Sequence, residues 1–177
     1  MPSSRNVDRG MALLQIETPR VLGLNFGSIR VDPGDFLAKR FAENPPTLTF
    51  RRVKPHGTYM VVCLDLDAPF ACFGFLGPVL HWIQPGLKPA PISGGFKLRV
   101  REPFVANYIG PSPPPCISPH RYVFLLFEQP VGFDVHRWAP PDGKTMGSWR
   151  RMRFDLDAWG KRIGLGPVLA FNYFVSK

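Results

Sequence analysis

The feature that most constrains this fold is a set of short, nearly unbroken apolar runs, each cut off by proline or glycine before it reaches ordinary helix length. Residues 59–66 (YMVVCLDL) and 122–128 (YVFLLFE) are dense in β-branched and aromatic side chains. Runs of this kind read as strands buried on both faces. Residues 80–84, 96–101 and 170–175 (AFNYFV) read the same way. Residues 47–53 (TLTFRRV) alternate instead, with Leu48, Phe50 and by extension Arg52 on one face, as in a half-buried strand. Residues 21–31 alternate loosely and supply a first strand. The 21 prolines and 17 glycines fall between these runs, where they act as turns rather than as low-complexity sequence.

Helices are few. Residues 35–43 have the composition of a short one, and residues 1–20 form an irregular or partly helical lead-in. One helix is well marked: Asp155 or Asp157 caps its start, Gly164 ends it, and Trp159 and Ile163 share a face. Several strands with so few helices argue against a βαβ pattern. The reading is one mostly-β domain over residues 1–177, a sandwich or a related packing of sheets.

The 177 residues fit a single domain with a sizeable core, and a hydrophobic fraction of 45% with 20% charged residues is ordinary for one. The excess of 22 basic over 13 acidic residues, a net charge of +9, favours anionic partners without choosing among them. The three cysteines, Cys63, Cys72 and Cys116, match no zinc spacing and suit small apolar fillers, reduced in a cytoplasmic setting. The N-terminal segment lacks the apolar stretch of a secretory signal. The apolar stretch 68–80 is broken by Pro69, Gly74, Gly77 and Pro78 and is too short to span a bilayer.

Four places carry possible chemistry. Asp65 and Asp67 close a buried strand, two residues apart and therefore on one face. Acids there need partners, or else they cap the turn before Pro69. His81 stands in an apolar strand, either as a satisfied core residue or as a ligand. The segment Tyr108-Ile109-Gly110-Pro111-Ser112-Pro113-Pro114-Pro115 is a plain surface turn or a rigid loop that aims the Gly110 or Ser112 N–H at an anion. His120 leads into the strand from Tyr122. There is no glycine-rich phosphate loop and no Gly-x-Ser-x-Gly elbow. The four histidines are too dispersed to spell a metal site, and no cofactor is called for. The short basic-aromatic segment 149–154 is a weak signal for nucleic acid, and no nucleic-acid partner is expected.

Taken in order, Asp65-Leu66-Asp67-Ala68-Pro69, Leu80-His81-Trp82, and Tyr108-x-Gly110-x-x-Pro113-Pro114 followed by His120-Arg121-Tyr122 resemble the signature of the phosphatidylethanolamine-binding protein family. The resemblance runs from about residue 21 to residue 175, and the proline and aromatic details look most like fungal members. It implies a central antiparallel sheet with a second smaller sheet and a few peripheral helices. It also implies a small pocket for phosphate or carboxylate anions. Carried over by position, Asp65, His81, Gly110, Pro114, His120 and Tyr122 line that pocket, with Asp67, Pro69, Tyr108 and Ser112 beside them. A histidine held between Asp65 and an anion would favour its charged form, and Ala68-Pro69 is a candidate cis bond.

The departures from the family pattern are specific. Leu66 stands at a proline position, Val79 at a tryptophan position, and Ser112 at a glycine position of animal members. The connector 70–79 (FACFGFLGPV) is short and apolar where many members have a longer polar loop. An apolar mouth beside an anion site suits an amphiphile. Two functional classes follow from the resemblance. One is a binder or regulator that takes an anionic small molecule or lipid head group, with a protein partner as a further option. The other is an enzyme or accessory of fungal polyketide metabolism that cyclises or dimerises maleidride-type anhydride or carboxylate monomers, with Asp65, His81 and His120 as candidate catalytic residues.

Overall fold

The computed structural model describes residues 5–18, 20–68, 77–113 and 118–177. Eight strands form one hydrogen-bonded sheet: β1 (Gly23–Phe26), β2 (Ile29–Val31), β3 (Thr47–Phe50), β4 (Tyr59–Asp65), β5 (Val79–Ile92), β6 (Gly95–Val100), β7 (His120–Glu128) and β8 (Ala170–Ser176). Their order is β2-β1-β3-β6-β5-β4-β7-β8, and every neighbouring pair is antiparallel. Helices α1 (Arg5–Ala12), α2 (Val135–Trp138) and α3 (Leu156–Ile163) are peripheral.

The second, smaller sheet exists as a leaf joined to the first through β5. Val79 to Leu87 pair with β4, and Leu87 to Ile92 pair with β6. The change of partner falls at Pro85-Gly86, where the register with β4 slips between Tyr59 and Val61. Gly86 has φ +68, and a Cβ there would lie 2.1 Å from the Glu102 Cγ, so only glycine makes this corner.

This folding-over explains the unbroken apolar runs. One face of β4 and β7 (Tyr59, Val61, Cys63, Tyr122, Phe124, Leu126) packs with Trp82 and Phe174 against Leu24, Phe26, Leu48, Phe50 and Leu98 of the smaller leaf. The other face (Met60, Val62, Leu64, Val123, Leu125, Phe127) is covered by Val7 of α1 and by Leu156 and Trp159 of α3. All seven residues of β4 are buried, a pattern more typical of parallel sheets.

The expected helix at residues 155–164 is α3. Asp155 caps it by accepting the Ala158 N–H at 2.8 Å, and Gly164 closes it in the left-handed region at φ 72. Asp157, the alternative cap, serves α1 instead: its carboxylate accepts from the Arg5 and Asn6 N–H groups at 3.0 and 3.1 Å. Two expectations are corrected. Residues 21–31 form a hairpin, β1 and β2, that turns at Gly27 (φ +60). Residues 35–43 hold only a single 3-10 turn, Lys39–Phe41. Just before it the chain runs extended beside β8, where the Leu37 N–H reaches the Val175 carbonyl and the Val175 N–H reaches the Asp35 carbonyl, both at 2.8 Å. These bonds hold the backbone out of a helix. Arg52 is exposed and lies beyond the end of β3.

Candidate functional site

The polar cluster sits at one end of the core between the two leaves. Asp65 ends β4, opposite Val79 on β5 and Tyr122 on β7. By strand alternation Asp65 shares the face of Cys63 and Val61, and His120 shares the face of Tyr122. His81 arrives by a different device. Cys63 pairs with Trp82 and Leu64 pairs with Leu80, so His81 is the extra residue of a bulge, which re-aims its side chain. The His81 and Tyr122 rings meet edge to face at 5.0 Å between centroids, and the His120 ring is stacked along Tyr122 at 6.5 Å.

Asp65, His81, His120 and Tyr122 are 4%, 5%, 1% and 1% exposed, so each polar atom needs a partner. Asp65 Oδ2 accepts from His120 Nδ1 at 2.9 Å, and Oδ1 accepts from the Asp67 N–H at 2.9 Å. His81 Nδ1 lies 2.8 Å from the Ile109 carbonyl oxygen, and the Ile109 N–H returns a bond to the His81 carbonyl at 3.0 Å. In this cluster His120 Nε2 and Ser176 Oγ remain without a partner among the described residues. The Tyr122 hydroxyl, which also lacks one in strict hydrogen-bonding geometry, lies by the Asp65 carboxylate and the Ser112 N–H, which act on it as hydrogen-bond partners. Ser176 stands directly across from His120 on β8. The fourth such atom, Arg20 Nε, belongs to the other end of β8, where the Phe171 N–H meets the Arg20 carbonyl. A buried polar group left unmet costs about 1–3 kcal/mol, and in this cluster His120 Nε2 and Ser176 Oγ are the atoms whose hydrogen bonds do not close within the described residues.

The protonation states follow from burial. Burial pushes the His81 pKa below its ordinary 6.5, against the opposing pull of the Ile109 carbonyl and Asp65, and the Arg151 charge adds to the lowering. His81, bonded to the Ile109 carbonyl rather than to Asp65, is therefore neutral near pH 7. Burial, and after it the charge of Asp65, push the Tyr122 phenol far above its ordinary range, so this hydroxyl keeps its proton. Cys63 is a buried core thiol, its pKa raised by burial.

The other expected residues divide. Asp67 faces away into a clamp: it accepts from the Arg121 N–H and Nε at 2.8 Å each and from Nη2 at 2.7 Å. Burial alone would raise its pKa, but these bonds hold it below its ordinary value. The Tyr108 hydroxyl donates to the Ala42 carbonyl at 2.8 Å, and its ring edges onto Trp82. Gly110 is explained by packing: a Cβ there would lie 2.8 Å from the Ala42 carbonyl oxygen. Ser112 is exposed, and its backbone acts on the Tyr122 hydroxyl. Pro69, Pro114, Cys72, Cys116 and the Ala68-Pro69 bond lie outside the described residues. Among the described residues no three of His, Cys, Asp and Glu are grouped to hold a metal ion, and no helix is long and apolar enough to cross a membrane.

Two residues escape sequence reasoning. Ser176 is one; its only signal is alternation with Phe174. The other is Arg151, which lies in the basic-aromatic segment 149–154 but is 2% exposed. Its guanidinium donates to the Met146 carbonyl at 3.1 Å, the Leu80 carbonyl at 3.2 Å, the Asn107 carbonyl at 3.1 Å and Asn107 Oδ1 at 2.5 Å. It thus places a buried cation behind the strand that carries His81.

Comparison with known proteins fits this geometry. One antiparallel eight-stranded sheet with peripheral helices and a buried Asp-His-His-Tyr cluster at its end defines the class. The model of the phosphatidylethanolamine-binding protein family matches residues 27–161, and the chain belongs to that family. It is 27% identical over 85% of its length to a 26 kDa secreted antigen of Toxocara canis, of which it spans 53%. It is 28% identical over 88% of its length to phomoidride biosynthesis cluster protein N of Talaromyces stipitatus, of which it spans 83%. Among solved structures, carboxypeptidase Y inhibitor complexed with its cognate proteinase aligns with TM-score 0.73 at 23% identity, over 99% of this chain and 96% of that one. A phosphatidylethanolamine-binding protein from Plasmodium vivax aligns with TM-score 0.67 at 17% identity, over 99% and 97%.

Proposed function

We propose that this protein binds an anionic small molecule, a phosphate or carboxylate carried on an apolar body, at Asp65, His81, His120, Tyr122 and Ser176. The supporting observation is the pair of buried polar atoms without partners among the described residues, His120 Nε2 and Ser176 Oγ, beside Asp65 and Tyr122 at one end of an otherwise apolar core. The net charge of +9 draws anions over a longer range. The apolar body is read from the sequence 70–79 (FACFGFLGPV). The test is thermal unfolding of wild type and His81→Ala with phosphorylethanolamine, inorganic phosphate and alkyl-substituted maleic acids. A ligand at 100 times its Kd adds about 2.7 kcal/mol, a shift of several degrees for a domain of this size. Stabilisation of the wild type and not of the variant is expected. Wild type left unmoved by every anion ends this reading.

A catalytic reading is favoured by one observation, the relative in the phomoidride biosynthesis cluster. In it, the His120–Asp65 pair or His81 takes a proton from carbon next to an anhydride or carboxylate. The electron pair stays on the substrate as an enolate, which the Tyr122 hydroxyl stabilises. General base catalysis contributes about 10²–10⁴-fold. Turnover of alkyl maleic anhydride monomers at the wild-type rate by both Asp65→Asn and His81→Ala would rule it out. A protein partner is a third use of the fold, suggested by the carboxypeptidase Y inhibitor complex.

A further inference from the structure

Resting on the reading of this cluster as an anion site, we propose that the ligand is an oxyanion that still carries one O–H, which it donates to Nε2 of His81. Hydrogen phosphate, the monoanion of a phosphate monoester and a half-protonated dicarboxylic acid all belong to this class. Sulfate and phosphate diesters do not.

The donors and acceptors of the cluster set this requirement. The Ile109 carbonyl oxygen only accepts, so the His81 Nδ1 that lies 2.8 Å from it carries the proton. In a neutral imidazole the other nitrogen then carries a lone pair. The groups around His81 keep it neutral. Asp65 on β4 favours its charged form, whereas burial, Arg151 behind β5 and His120 on β7 oppose it, with the uncharged Tyr122 ring against it. His81 Nε2 is therefore a standing acceptor. The Tyr122 hydroxyl keeps its proton, held first by burial and then by the Asp65 carboxylate beside it, so His81 alone sets the demand for an O–H. Ser176 is ambivalent, since a hydroxyl rotates to either role. His120 Nδ1 is committed to Asp65 at 2.9 Å, so Nε2 is the nitrogen left to meet a ligand.

An anion with no proton turns a lone pair toward that of His81 Nε2; an anion with one O–H meets it with a hydrogen bond. A site built to accept a hydrogen bond rejects analogues that cannot donate it. Arg151 acquires a role here as a positioning residue: its buried charge and its bonds to the Leu80 and Asn107 carbonyls brace the bulge and hold His81 in its neutral form.

The test is calorimetric titration of the wild-type protein at neutral pH and fixed ionic strength with inorganic phosphate, sulfate and dimethyl phosphate. Phosphate is expected to bind at least about tenfold more tightly than either, the weight of one hydrogen bond to a charged partner. Sulfate or dimethyl phosphate binding as well as phosphate overturns this inference and leaves the anion site standing. No binding of any of the three overturns both. In His81→Gln, whose amide turns either a donor or an acceptor to the ligand, the preference falls toward unity; an undiminished preference overturns the proposal. Independently of any ligand, the ¹⁵N NMR signature of His81 at neutral pH is expected to show a protonated Nδ1 and an unprotonated Nε2. The opposite tautomer, or an imidazolium, overturns it.

Discussion

Asp65 and Asp67 stand two residues apart at the end of one strand and are 4% and 5% exposed, yet their surroundings differ in kind. Asp67 is saturated: three Arg121 donors reach its two oxygens within 2.8 Å. The pair closes on itself, and its work is to fasten the start of β7 to the end of β4. Asp65 is also bonded at both oxygens, but one bond hands the problem on. It orients His120, whose Nε2 is left buried and unmet. Burial alone therefore does not separate a structural acid from a functional one. What separates them is whether the hydrogen-bond account closes within the protein.

The largest effect that could break this comparison is on Asp67→Ala. Breaking a buried ion pair costs about 3–5 kcal/mol. Because the Arg121 side chain is 47% exposed, we expect about 2–3 kcal/mol in chemical denaturation, with anion affinity kept within about threefold. Asp65→Asn should do the reverse, changing stability by under about 1 kcal/mol while weakening anion binding at least about tenfold. If Asp67→Ala abolishes binding at unchanged stability, the two acids have been assigned the wrong way round.

Next in size is Gly110→Ala, where the new methyl meets the Ala42 carbonyl. Overpacking of this kind costs about 1–3 kcal/mol, and a lowered melting temperature checks it. A stability loss without any change in the tautomer of His81 would show that Gly110 serves the packing of the loop and not the ligand.

Acid titration gives a smaller effect with a definite sign. Below about pH 6.5, the ordinary value for His81, the unfolded chain takes up a proton that the buried imidazole refuses. The unfolded state then binds more protons, so this contribution to stability is full above that pH and is lost as pH falls through the lowered folded value. Its slope is at most about 1.4 kcal/mol per pH unit. Equilibrium unfolding at a series of pH values should show it in wild type and not in His81→Gln. The smallest effect is a control: Asp155→Ala removes the α3 cap and should cost about 1 kcal/mol with no change in anion affinity.

Some of this was legible in the sequence and some was not, for physical reasons. β4 and β7 announce themselves because both of their faces are buried. β5 is legible only to Gln84, because Pro85, Pro89 and Pro91 interrupt its pattern. Pro85 is tolerated where the strand changes partners, and Pro89 and Pro91 where β5 pairs with β6 and no longer with β4. α1 is hidden because its cap, Asp157, comes from the far end of the chain. Within the site, Asp65, His81, His120 and Tyr122 are chemically conspicuous, and the structure gathers them. Arg151 and Ser176 are inconspicuous, since nothing local to an arginine-rich stretch or a strand end says which residue turns inward.

The account is tested most directly by following the imidazole NMR signals of all four histidines while inorganic phosphate or phosphorylethanolamine is added. It predicts that His81 and His120 shift together and saturate at one concentration, while His56 and His136 stay where they are. Saturable binding that leaves His81 and His120 unmoved, or a uniform drift of all four, would contradict it.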